Sequence, residues 1–190
     1  WGRLSFLVFI IILGLESARQ AVASLKKGRR IEELEQFALN DSMTGFYNRN
    51  AYDYFIYNEK NIKNYMVVTF DLNNLKMCND NYGHSSGDAY IIHSAHIIET
   101  TFDRFGKCYR IGGDEFCCLI PDAAEFQIER FIQKMQQDIA ILNNKNIIPT
   151  EVGIACGYAL ATPDDADIEK VRERADEMMY HNKKVLKGLI

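Results

Sequence analysis

Asp71 and Asp114 are the residues of this chain best suited to chemistry. Asp71 closes the β-branched, aromatic run MVVTF at residues 66–70. Asp114 and Glu115 lie where two short strand-like runs, 108–111 and 115–120, flank Gly112-Gly113-Asp114. The first run reads as a central strand and the second pair as a hairpin. If the central strand pairs beside that hairpin, Asp71 and Asp114 converge at one sheet edge. Two carboxylates and a backbone carbonyl, such as that of Leu72, suit Mg²⁺, a hard cation that keeps few protein ligands when a polyphosphate supplies the rest. Such a site favours phosphoryl transfer by clamping the attacking and leaving oxygens. Taken singly, each Asp is more often a turn or cap residue.

The next segment, residues 73–88 (NNLKMCNDNYGHSSGD), is dense in polar groups and turn formers. Asn79 and Asp88 together match the donor and acceptor edge of guanine. Lys76 is placed to neutralise phosphate charge. Gly83 and Gly87 allow close backbone approach, and the following helix presents free N–H groups to an anion. From the residues alone this is a plausible nucleotide loop, and an ordinary turn region looks similar. His84, His93, His96 and His181 are the histidines. The i, i+3 spacing of His93 and His96 could suit a metal, but no acidic or Cys partner is at hand, so surface or half-buried roles fit better. The chain has no Walker A or GxGxxG pattern.

The elements that position these residues alternate. Residues 48–58, 86–102, 122–143 and 168–186 read as helices, and 152–161 as a further strand. The apolar side of the 122–143 helix is Phe126, Ile128, Phe131, Ile132, Met135 and Ile139. An α/β or α+β domain with helices on a sheet is the expected fold. The 190 residues allow one full domain and an appendage. At 47% hydrophobic and 25% charged, the composition excludes disorder, collagen and a disulfide scaffold. The net charge of −4 argues against non-specific nucleic-acid binding. Residues 1–40 hold six Lys/Arg and four Glu, a balance of +2 that leaves the rest of the chain at −6. Five cysteines without regular spacing read as small core residues of a reducing compartment.

Residues 4–15 (LSFLVFIIILGL) are apolar but too few to span a bilayer, which takes about 20. With Lys26, Lys27, Arg29 and Arg30 downstream, the segment 1–15 reads as the end of a transmembrane helix. The positive-inside rule then places the downstream residues in the cytoplasm, at the cytoplasmic membrane. A buried core helix is the alternative. Residues 16–40 read as a connector helix, with Val22, Leu25, Ile31, Leu34 and Ala38 at 3/4 spacing and a phase slip near Gly28. This is a short, imperfect coiled-coil seam able to pair with a copy of itself, or a solvated connector. Residues 41–190 remain as the output domain.

Residues 110–116 (RIGGDEF) contain the signature of the GGDEF family, the diguanylate cyclases. A given five-residue string occurs by chance on the order of 10⁻⁴ times in such a chain. The context agrees: residues 41–49 (DSMTGFYNR) resemble the family's DxLTGLxNR, and residues 71–88 its DxDxFKxxNDxxGHxxGD. Residues 152–159 resemble the later strand ending SxGxA, and Ala175-Asp176 with Tyr180 and Lys183 resembles ADxALYxAK.

The resemblance implies a polymerase-palm, nucleotidyl-cyclase-like fold, a central antiparallel sheet wrapped by helices and here preceded by a signalling helix. It implies that Asp71, the Leu72 carbonyl and Asp114 bind Mg²⁺ or Mn²⁺, with Glu115 supporting the site. Asp114 would also accept the 3′-hydroxyl proton, and Lys76 would stabilise the pentavalent phosphate. Asn79 and Asp88 would hold guanine, with His84 nearby, and Lys183 and Lys187 the triphosphate. The implied reaction condenses two GTP to cyclic di-GMP and two pyrophosphates across a homodimer, largely by positioning and electrostatics. A catalytically weak module that binds GTP and regulates a partner is the alternative.

The chain departs from the family pattern at several points. Asn73 stands for the second Asp of the strand-end motif, and Met43 and Phe46 for leucines. Leu186 and Lys187 replace the tail's Gly and Arg. The ends of the family's inhibitory Arg-x-x-Asp product site are Asp103 and Gly106 here, which implies no feedback inhibition through it.

Overall fold

Seven consecutive buried residues, Met66–Leu72, form β1. It is an interior strand of a four-stranded antiparallel sheet of order β2-β3-β1-β4. The others are β2 (Lys107–Arg110), β3 (Glu115–Ile120) and β4 (Ile154–Leu160). A strand covered on both faces has no reason to alternate, and MVVTF shows that continuous apolar pattern. The computed structural model describes residues 2–59, 63–123, 127–186 and 188, with the side chains of 3–12, 28–29 and 31–37 outside that description.

The pleat sorts β1 between two cores. Val68, Phe70 and Leu72 join Phe116, Cys118 and Ile154 beneath α4 (His84–Phe102) and α5 (Ile128–Asn144). Val67 joins Cys117, Leu119 and Ala159 beneath α2 (Arg49–Asn58) and α6 (Ile168–Leu186). Asp71 shares the second face. Gly157 lets β4 and α6 approach: a Cβ there would stand 2.8 Å from the Met179 Cα and closer still to the Ala175 carbonyl. Between the strand end and α4 lies α3 (Leu75–Tyr82).

Several expected boundaries shift. The segment after Asn73 is not wholly a loop, because 75–82 is helical. Its only buried anchors are Leu75 and Cys78, one turn apart and hidden among Asn and Asp. A left-handed Asn74 starts it, and Gly83, at φ 83°, ends it and begins α4. The helix expected from 122 begins at Ile128, since Asp122 has φ 50° and Gln127 is non-helical. Phe126, placed on that helix's apolar side, lies outside the described residues. The strand expected from 152 begins at Ile154, because the Val152 and Gly153 amides donate to the Asn143 side chain and the Tyr90 hydroxyl.

The chain divides into two compact units, one up to Ala38 and one from Leu39 onward. In the first, α1 (Gly2–Leu39) is one continuous helix through both Gly14 and Gly28. Its Leu15, Val22 and Leu25 are exposed in the single chain. Ile31 and Leu34 of the expected seam lie outside the described side chains. Among the described residues no helix is long and apolar enough to cross a membrane.

Candidate active site

The carboxyl-terminal end of β1 meets the β2–β3 turn. Asp71 is register partner to Glu115, and the Leu72 amide donates to the Asp114 carbonyl at 3.0 Å. The acids therefore gather at the end of the two interior strands rather than at a lateral edge of the sheet. Asp71 is buried, and its Oδ1 lies 2.6 Å from the Lys183 ammonium, reached from the last turns of α6. That oxygen receives no aligned hydrogen bond, so the ion pair is its compensation. Asp114 is half-buried. Glu115 is exposed, and its carboxylate turns back toward Gly112.

Two adjoining hollows open here. The first, about 470 Å³, is lined by Leu72, Lys76, Asp80, Asp114 and Lys183, among others. The second, about 450 Å³, shares Leu75, Lys76, Asp80 and Asp114 and continues to Asn79, His84 and Asp88, with Met43 and Ile91 as apolar wall. A charged compartment thus leads into one with an amide, a carboxylate and an apolar side, a chemistry that suits a purine base. Asn79 lies over Gly87. Lys187 is outside the described residues. Leu186 lines a further, larger hollow of about 710 Å³ between α5 and the start of β4, which shares Asn74 with the first hollow and holds none of the residues assigned to metal, base or phosphate.

A divalent cation fits this donor set. Asp71 offers a buried oxygen without an aligned hydrogen bond, and Leu72 and Asp114 line the adjoining hollow. Among the described residues no three His, Cys, Asp or Glu side chains form a metal cluster, so phosphate oxygens would complete the coordination. His93 is half-buried, and His96 pairs with Glu99 at 3.5 Å on the surface of α4.

Several positioning residues escape a reading of motifs alone. Arg110 Nη1 donates to both Asp41 oxygens, at 3.1 and 3.2 Å, and its Nη2 to the Gly113 carbonyl at 2.8 Å. The GGDEF turn is thereby tied to the loop that opens the domain. Burial works to raise the Asp41 pKa, but hydrogen bonds from the Thr44 hydroxyl and amide, with the Arg110 charge, outweigh it and hold the carboxyl below its ordinary value. The Tyr90 hydroxyl donates to the Asn73 carbonyl and accepts from the Gly153 amide, both at 2.7 Å, fixing the backbone behind Leu72. Burial pushes that phenol up to about 12, so it stays protonated. On α6, Arg172 binds Glu169 and Asp176 at 2.9 and 2.7 Å, and Glu169 accepts from the Tyr52 hydroxyl. This network seats the helix that delivers Lys183. Asp80 gave one usable signal, its i, i+4 spacing from Lys76.

The model of the diguanylate cyclase GGDEF domain matches residues 38–187. The chain belongs to the GGDEF family. The domain is 31% identical over 157 residues to diguanylate cyclase DgcN of Escherichia coli K12, which covers 80% of this chain and 38% of DgcN. It is 26% identical to diguanylate cyclase DgcS of Shewanella oneidensis, over 84% of this chain and 54% of DgcS. The chain thus spans about half or less of these curated relatives. The coiled coil and GGDEF domain of DgcB from Caulobacter crescentus, solved in complex with c-di-GMP, superposes with a TM-score of 0.74. That match is 23% identical and covers 88% of this chain and 94% of the other. Sheet and helices therefore share the palm-like arrangement of GGDEF domains.

Proposed function

We propose that this GGDEF domain condenses two GTP into cyclic di-GMP, releasing two pyrophosphates, in a homodimer whose domains face each other. The observation that carries the reading is the pair of adjoining hollows meeting at Lys76, Asp80 and Asp114. Asn79 and Asp88 hold the guanine edge, while Met43, Leu75 and Ile91 exclude water from its face. Lys76 and Lys183 bind phosphate oxygens. Asp71, the Leu72 carbonyl and Asp114 would hold Mg²⁺ or Mn²⁺, with Glu115 beside them. A cation there would neutralise charge developing on the α-phosphate. Asp114 accepts the proton of the 3′-hydroxyl. Each domain holds one GTP, so the attacking hydroxyl comes from the facing copy. Orientation supplies most of the rate.

The apolar residues 4–15 and the basic group Lys26, Lys27, Arg29 and Arg30 support attachment to the cytoplasmic membrane, with the domain on its cytoplasmic side. The exposed Leu15, Val22 and Leu25 support pairing through α1. The test is product formation from GTP and Mg²⁺, resolved by chromatography across protein concentration. Cyclic di-GMP rising faster than linearly with protein is the expected result. No product at any concentration, with a forced dimer also silent, leaves a GTP-binding regulatory module instead.

A further inference from the structure

Lys183 stands where a cation would stand. Its ammonium lies 2.6 Å from Asp71 Oδ1, and the side chains are only 26% and 10% exposed. Asp71 Oδ1 has no aligned hydrogen bond to fall back on. A carboxylate buried to that degree costs free energy unless a positive charge faces it. In this structure that charge is Lys183, whose ammonium faces the oxygen that a divalent ion would share.

The pairing has a consequence for binding order. A metal arriving at Asp71 must displace the ammonium. The displaced ammonium stays in a hollow that already holds Lys76. Metal, Lys183 and Lys76 would then crowd positive charge around few carboxylates, which disfavours the bare-metal state. A polyphosphate entering the same hollow gives both ammonium groups an anionic partner. We propose that Lys183 exchanges between Asp71 and the nucleotide's phosphates, so that metal binds poorly alone and metal and nucleotide each strengthen the other's binding. This rests on the reading of Asp71 as a metal ligand.

The test counts free Mn²⁺ by electron paramagnetic resonance, with Mn²⁺ alone and with a GTP analogue that cannot be cyclised. Lys183→Met removes the competitor. Lys184→Met is the control, because Lys184 carries the same charge on the same helix but rests on the Tyr180 ring, 4.3 Å from its centroid. Lys183→Met is expected to bind Mn²⁺ alone about tenfold tighter than the wild type. Lys184→Met is expected to match the wild type. The analogue should tighten Mn²⁺ binding strongly in the wild type and much less in Lys183→Met. Equal Mn²⁺ affinity in wild type and Lys183→Met, with Asp71→Asn weakening it, overturns the exchange and leaves the metal reading standing. If Asp71→Asn leaves Mn²⁺ binding unchanged with the analogue present, the metal reading falls and the exchange with it.

Discussion

The Asn79 carboxamide occupies the space that a side chain at position 87 would need. Its Cγ lies 2.8 Å from the point where a Cβ on Gly87 would stand, and its Oδ1 lies nearer still. The second glycine of the GHSSGD run therefore sets the direction of the amide assigned to the guanine edge.

Gly87→Ala is expected to push that amide aside. The intruding contact is with the tip of a flexible side chain, so the fold should survive. Losing one aligned hydrogen bond should weaken guanine-nucleotide binding by about tenfold. Calorimetric titration beside a thermal melt checks this, and unchanged affinity would remove Asn79 from the base compartment.

Asp41 makes stability fall in acid. Its carboxyl is held below its ordinary value of 3.8 by Thr44 and Arg110, against the opposing effect of burial. A depressed carboxylate stabilises the fold above its unfolded pKa and loses that contribution as pH falls through the lower folded value. Urea unfolding of wild type and Asp41→Asn should therefore differ most above about pH 4 and converge below it. A difference independent of pH would refute the assignment.

Gly157→Ala should cost stability directly. A Cβ there meets backbone atoms of α6, which cannot rotate away. Strand and helix must separate, at about 1–3 kcal/mol. Denaturant unfolding gives the number, and a neutral result would mean that α6 shifts freely on β4.

Cyclic di-GMP should not inhibit through the position used by the family. Gly106 takes the place of the acidic end of that site, and a Cβ on it would stand 2.9 Å from the Ile120 Cα. Initial rates with and without added product test this. Inhibition abolished by Asp103→Ala would contradict it.

Long, uniform runs were legible from sequence. The strand MVVTF, the hairpin around Gly112-Gly113 and the helix 168–186 lie where their patterns place them. The helix 75–82 was not legible, because its two buried anchors sit among residues that favour turns. The site divides in the same way. Motif residues such as Asn79, Asp88 and Asp114 stand out by type and spacing, and they line one continuous pair of hollows. The Arg110–Asp41 tie joins residues 69 apart in sequence, and the Lys183–Asp71 pair joins the last helix, α6, to the first strand, β1. Pairings at such separation have no local period to betray them.

Neither lateral margin of the sheet is left bare for another strand. On the β2 side, Tyr47 donates its amide to the Cys108 carbonyl and accepts from the Arg110 amide. On the β4 side, Asn182 of α6 takes the Cys156 amide at 3.0 Å. Free strand margins are where folded proteins stick to one another without limit. With both margins engaged, any meeting of two copies would run through helices, turns and side chains, contacts that can be made and broken and that favour a finite assembly over a growing ribbon.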